Sequence, residues 1–183
     1  MALKATIYKA DLQVSDLDRH YYQNHALTVA RHPSETEERL MVRLAAFAHN
    51  AHPALTFAKG LSDVDEPDLW QRDLTGAIDL WIDVGLPDER RIIKASGRAR
   101  KVIVYAYGGN AATLWWNQTT AKLARLNNVT VMNIPMEASK ALALLARRNM
   151  QLQASIQDNE IMVTCEDGLV SVSLEKLKDS QFA

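Results

Sequence analysis

The chain has 183 residues, 48% of them hydrophobic and 23% charged, which is ordinary for one compact domain with a sizeable core and requires no second one. A net charge of −1 and an isoelectric point near 6.5 give no global pull toward nucleic acid, so any such binding needs a local basic patch. The lone Cys165 excludes an intramolecular disulfide, and the start MALKATIYKADL, broken by Lys4, Lys9 and Asp11, reads as neither signal peptide nor membrane span; the expected setting is a reducing cytoplasm, away from membranes.

Up to His32 the chain alternates apolar and polar residues around SDLDR, the pattern of an antiparallel hairpin with one solvated face. The period then changes in HPSETEERLMVRLAAFAHN. Ser34 is the expected N-cap with Glu37 as its capping-box partner, and Met41, Leu44, Ala45 and Ala48 stripe one face of a helix ending near Asn50 and Pro53. LTFAKG at 55–60 is a short strand, and SDVDEP, closing at Pro67, is an acidic loop. DLWQRD and GAIDLWIDVG then read as two strands joined by a Leu-Thr-Gly turn.

From there strand and helix alternate: GAIDLWIDVG, PDERRIIKASGRA, KVIVYAY, NAATLWWNQTTAKLARL, VTVMNI and PMEASKALALLARR. Such alternation predicts parallel strands with crossover helices, and the nearly continuous apolar runs VIVYAY and VTVMNI belong at the centre of the sheet. The C-terminal QLQASIQ, EIMVTCE and LVSVSL form an alternating meander, with Asp-Asn and Asp-Gly at turns that favour positive φ. The expectation is a single α/β domain over 1–183 with antiparallel N- and C-terminal wings.

The chemistry concentrates in strand 77–85, where Asp79, Trp81, Asp83 and Gly85 share one face. Residues four apart on a strand stand ~13 Å apart, too far for Asp79 and Asp83 to hold one metal directly. If QRDLTGAI closes a hairpin, paired positions sum to about 150, setting Asp68 near Ile82 and Asp83 and Glu66 near Val84. Mg²⁺ or Mn²⁺ takes a few carboxylate oxygens plus water and leaves room for a phosphate. The alternative is a solvated strand face, but an unpartnered carboxylate on a strand whose neighbour is buried is costly.

The segments HPSETEER (32–39), DEP (65–67), IDLWIDVGLPDERR (78–91) and QASIQD (153–158) resemble, in order and along essentially the whole chain, the YaeQ family of bacterial proteins. The resemblance implies a restriction-endonuclease-like core with a mixed central sheet and flanking helices, a variant of the PD-(D/E)xK nucleases, whose αβββαβ unit holds a divalent metal. Carried over, Asp83-Val84-Gly85 occupies the (D/E)xK position, with Asp83 as metal ligand and glycine where the lysine is expected. The second carboxylate is Asp68, within a literal Pro-Asp, or Asp79, within the strand motif.

Some related nucleases bring the lysine from the next helix, which makes Lys94 the candidate, with Arg90 and Arg91 as competitors; a purely solvated face opposite Ile92 and Ile93 is the bland reading. Lys94 lies ~10 Å along the helix axis and its side chain leans back toward the N-terminus. Glu38, aligned with Met41, Val42 and Ala45, is the helix carboxylate, with Glu35 second. Trp115 and Trp116 read as core contacts, Arg98, Arg100 and Lys101 as a basic cluster at a helix end, and the histidines show no ligand spacing. Two functions follow as expectations: Mg²⁺- or Mn²⁺-dependent hydrolysis of nucleic acid, or a nuclease-like domain without catalysis that binds nucleic acid or a protein.

Overall fold

A computed structural model of the chain describes residues 3–181. The elements begin with β1 (Thr6–Asp16), β2 (Tyr21–Arg31), α1 (Glu37–His49), β3 (Leu55–Phe57), β4 (Leu69–Arg72), β5 (Ile78–Val84), α2 (Glu89–Arg98) and β6 (Ala99–Tyr107). They continue with α3 (Asn110–Leu123), β7 (Val129–Ile134), α4 (Met136–Ala143), β8 (Asn149–Gln157), β9 (Glu160–Cys165), β10 (Gly168–Ser173) and β11 (Glu175–Lys178). They form a mixed α/β protein whose chain gathers into two compact units, one taking in the chain to Ala51 and Glu137–Leu174, the other His52–Met136 and the chain from Glu175.

In the first unit the sheet order is β10-β9-β8-β1-β2. On β1 the buried Tyr8, Ala10, Leu12 and Val14 alternate with exposed Lys9, Asp11 and Gln13, as a half-buried strand requires. The N- and C-terminal wings are not separate antiparallel pieces: β8 lies parallel to β1, with Leu12 beside Leu152. Alternation gives each segment one apolar face but does not set its direction or neighbour. Leu12, Leu152, Ala154 and Val163 of this sheet line one small apolar space with Met41, Leu44 and Ala45 of α1 and Leu142 of α4, which marks the unit's core. The β8–β9 turn holds Asp158 and Asn159 at φ of 52° and 62°, the left-handed pair that its sequence favours.

Helix α1 starts two residues later than its capping-box pattern suggests. Thr36 is the N-cap and accepts from the Arg39 N–H at 3.1 Å, while the Ser34 hydroxyl bonds His32 Nδ1 at 2.7 Å. The reason is the turn before it. The Glu35 N–H donates to His32 O, and the Glu35 carboxylate, buried, receives Arg43 Nε and Nη2 at 2.7 Å each and Arg39 Nη1 at 3.0 Å.

The second unit is built on the mixed sheet β11-β7-β6-β5-β4-β3, in which β5, β6 and β7 run parallel and the other pairs antiparallel. Alternating strand and helix produced these parallel ladders. Trp81, Val102, Val104, Val129 and Val131 of the sheet pack with Ile92 and Ala95 of α2 and Leu123 of α3, and Trp115 and Trp116 lie against this core. Strand β11 was not foreseen. It pairs with β7 at the sheet edge with a register shift, and its Lys178 ammonium donates to Leu126 O and Val129 O at 2.7 and 3.1 Å. Short charged edge strands carry little periodic signal.

Candidate functional site

The site grows from the β4–β5 hairpin and the helix after it. Leu69 faces Ile82 and Trp70 faces Trp81, one residue from the register expected, and a shift between Gln71 and Arg72 brings Arg72 opposite Ile78. That register puts Asp68, just before β4, beside the end of β5. The Asp68 N–H donates to Ile82 O at 3.0 Å, and the Val84 N–H donates to Asp68 Oδ2 at 2.8 Å. The C-terminal half of β5 is buried on both faces, Asp83 included, so the solvated-face reading does not hold there.

After β5 the chain turns at Gly85, whose φ of +105° is a conformation that side chains avoid, although a Cβ there would meet nothing within 4 Å. A lysine at position 85 is thus disfavoured by backbone conformation rather than by lack of space. Asp88 caps α2, accepting from the Arg90 N–H at 2.8 Å, and the helix begins at Glu89. Ile92 and Ala95 turn to the core while Ile93 is exposed, and Arg91, Lys94 and Arg98, spaced by three and four, share a helix face.

Asp83 is 2% exposed and is met by the fork of Arg91, with Nε to Oδ2 at 2.9 Å and Nη2 to Oδ1 at 3.0 Å. Burial pushes the Asp83 carboxyl above the usual carboxylate range; the Arg91 charge and hydrogen bonds oppose this, and the charge of Asp68, itself 3% exposed, adds to it. The Trp81 Nε1 favours the ionised form from nearby but completes no hydrogen bond. Arg91 also ties down the acidic loop, donating from Nη1 to Val64 O at 2.7 Å and from Nη2 to Glu66 O at 2.8 Å. Lys94 Nζ reaches Asp65 Oδ1 at 2.6 Å, and Arg98 Nη1 reaches Asp65 O at 2.8 Å. The hydrogen bond from Lys94, with its charge, holds the Asp65 carboxyl below the usual range.

The fold therefore brings Asp68 and Asp83 close enough for their charges to couple, as the hairpin register implied. Lys94 is on the expected helix but bonds Asp65 rather than Asp83. Asp79 is half-buried, with Arg100 Nη1 3.2 Å from its Oδ1. Glu38 belongs to the first unit, where it accepts from the Ser139 hydroxyl at 2.7 Å. The residues that sequence reasoning undervalued are Arg91 and Asp65. Helix geometry held the clue for Arg91, since with the helix capped at Asp88 it sits a turn nearer the strand end than Lys94, and its planar fork matches a carboxylate.

Among the described residues no three histidine, cysteine or carboxylate side chains form a group that could hold a metal ion. Mg²⁺ or Mn²⁺ needs one or two carboxylates with oxygens free to bind it beside water. Here both oxygens of Asp83 take the guanidinium of Arg91 and Oδ2 of Asp68 takes a backbone N–H, so the residues as arranged do not fit Mg²⁺ or Mn²⁺. The arrangement fixes a loop and a helix by charge.

The family model described as YaeQ protein matches residues 1–174. The uncharacterised YaeQ proteins of Salmonella typhi and of Escherichia coli strain K12 are 49% and 45% identical to this chain, over 90% and 95% of it and 91% and 96% of their own lengths. The crystal structure of the YaeQ protein from Xanthomonas axonopodis pv. citri superposes with a TM-score of 0.92 at 48% identity, covering 95% of this chain and 98% of that one. That of the Pseudomonas syringae YaeQ protein gives 0.92 at 36% identity, covering 97% and 98%.

Proposed function

This chain belongs to the YaeQ family, and we propose that its second unit is a variant of the PD-(D/E)xK nuclease core that holds the phosphate backbone of nucleic acid without cutting it. The observation that carries this reading is the closed pair Asp83–Arg91. A guanidinium fork engages the motif carboxylate that a catalytic metal would need, and the neighbouring Gly85 has a φ of +105° where the motif lysine would stand. With the carboxylate taken up by Arg91 and no lysine at position 85, little in the chain itself is placed to stabilise the charge of phosphoryl transfer. Binding needs less: the cations of α2 supply a local basic row on a chain of nearly neutral net charge. The reading carries a cytoplasmic location, in keeping with the free Cys165, and no helix among the described residues is long and apolar enough to cross a membrane.

Hydrolysis is the second reading, favoured by two buried carboxylates whose charges couple. Incubating the protein with labelled DNA and RNA in Mn²⁺, alongside a calorimetric Mn²⁺ titration, separates the two. The expected result is retention of the nucleic acid uncut and no heat of Mn²⁺ binding. Cleavage that needs Mn²⁺ and disappears in Asp83→Ala would establish hydrolysis instead.

A further inference from the structure

The three cations of α2 that face one way are all engaged by one short stretch of chain, 64–66. Arg91 holds Val64 O and Glu66 O, Arg98 holds Asp65 O, and Lys94 holds the Asp65 carboxylate. The loop's other ties are local: the Lys59 N–H donates to the Glu66 carboxylate at 3.1 Å and the Asp65 N–H to Asp63 Oδ1 at 2.9 Å. Val64, its apolar residue, is 81% exposed, so it contributes almost no burial. The grip of α2 on the loop is one of charge and hydrogen bonds.

We infer that Arg91, Lys94 and Arg98 line a phosphate-binding site, and that the 63–66 loop is its built-in competitor, Asp65 standing where a phosphate of a nucleic-acid backbone binds. The inference rests on the nucleic-acid-binding reading above. The inner and outer parts of the grip differ in strength. Arg91 is committed to a buried carboxylate and stays in place. Lys94 and Asp65 are 62% and 63% exposed, and an ion pair so open contributes little. A phosphodiester offers a full charge and several acceptor oxygens, and its binding releases counterions, which an internal carboxylate cannot do. Lys94 and Arg98 therefore exchange Asp65 for phosphate while Arg91 keeps the root of the loop. A cavity of about 220 Å³ beside the loop, lined by Val64, Trp81, Arg91, Lys94, Ala95 and Arg98, leaves room for the incoming group. Part of its lining is Trp81, whose buried N–H still completes no hydrogen bond.

Fluorescence anisotropy with a labelled single-stranded DNA and the matching duplex, over a range of chloride concentrations, tests this on the full chain. Asp65→Asn, a conservative change at an exposed position, is expected to bind about twofold to fivefold tighter than the wild type. Lys94→Gln is expected to bind more weakly, with the salt dependence shallower by about one counterion. Equal affinity of Asp65→Asn and wild type would remove the loop as competitor, and unchanged binding by Lys94→Gln would remove the site. Displacement of the DNA by inorganic phosphate far beyond that by chloride of the same ionic strength would reassign the site to free phosphate. If wild type and Asp65→Asn both fail to bind at low salt, the nucleic-acid reading falls with it; binding by both without a difference overturns the competitor alone.

Discussion

Asp83 and Arg91 depend on each other. A carboxylate buried at 2% exposure has given up its water, and the guanidinium fork is the main compensation. Arg91→Gln should cost about 3 kcal/mol in urea or guanidinium unfolding, the lower end of the usual range for breaking a buried pair, because the arginine side chain is partly open. The sign of the pH effect follows from the raised Asp83 carboxyl. The folded state holds that proton more tightly than the unfolded chain, so the group's contribution is full below the unfolded value of about 3.9 and is lost as pH rises through the folded value. In unfolding experiments from acid to neutral pH, the stability of the wild type relative to Asp83→Asn should fall with rising pH and then level off. Gly85→Lys, which places a lysine where the proposed nuclease-like reading expects one, should cost about 1–3 kcal/mol by forcing a side chain to φ near +105°. Under the binding reading it should confer no cleavage; Mn²⁺-dependent cutting by this variant would count against that reading.

At the scale of elements, capping shows how local rules compete. Ser34 begins the capping-box pattern of the sequence, but the buried Glu35–Arg43 pair fixes the turn at 32–35, which leaves Thr36 at the helix start. Thr36→Ala should therefore cost about 1 kcal/mol of stability and Ser34→Ala markedly less, as read by chemical denaturation of the two variants. The hairpin register carried information of another kind. Pairing fixed by a short turn is local, so the meeting of Asp68 with the end of β5 was legible before any tertiary structure. The choice of Arg91 over Lys94 was not. It depends on where α2 begins and on a loop that arrives from thirty residues away, and neither has a periodic signal.

For the molecule as a whole, both units are assembled from segments distant in the chain, and the order of strands sets which regions open last. Hydrogen exchange should be slowest in β1 and β8, the inner strands shared by both wings, and in β5 and β6 of the second sheet; β2, β3, β10 and β11, at sheet edges, should exchange fastest. Fast exchange in β8 would contradict its parallel seat against β1. The sequence by itself determined most of the elements, the alternation behind the parallel strands, the β4–β5 pairing to within one residue and the family, because periodicity, turn chemistry and short pairing act between near neighbours. Only the tertiary structure decided that the two wings form one sheet, that β11 closes the edge of β7, that Glu38 bonds Ser139, and that the fork of Arg91 meets Asp83. Those outcomes turn on which buried charges and open edges meet when distant segments close, and a chain's local pattern does not encode that meeting.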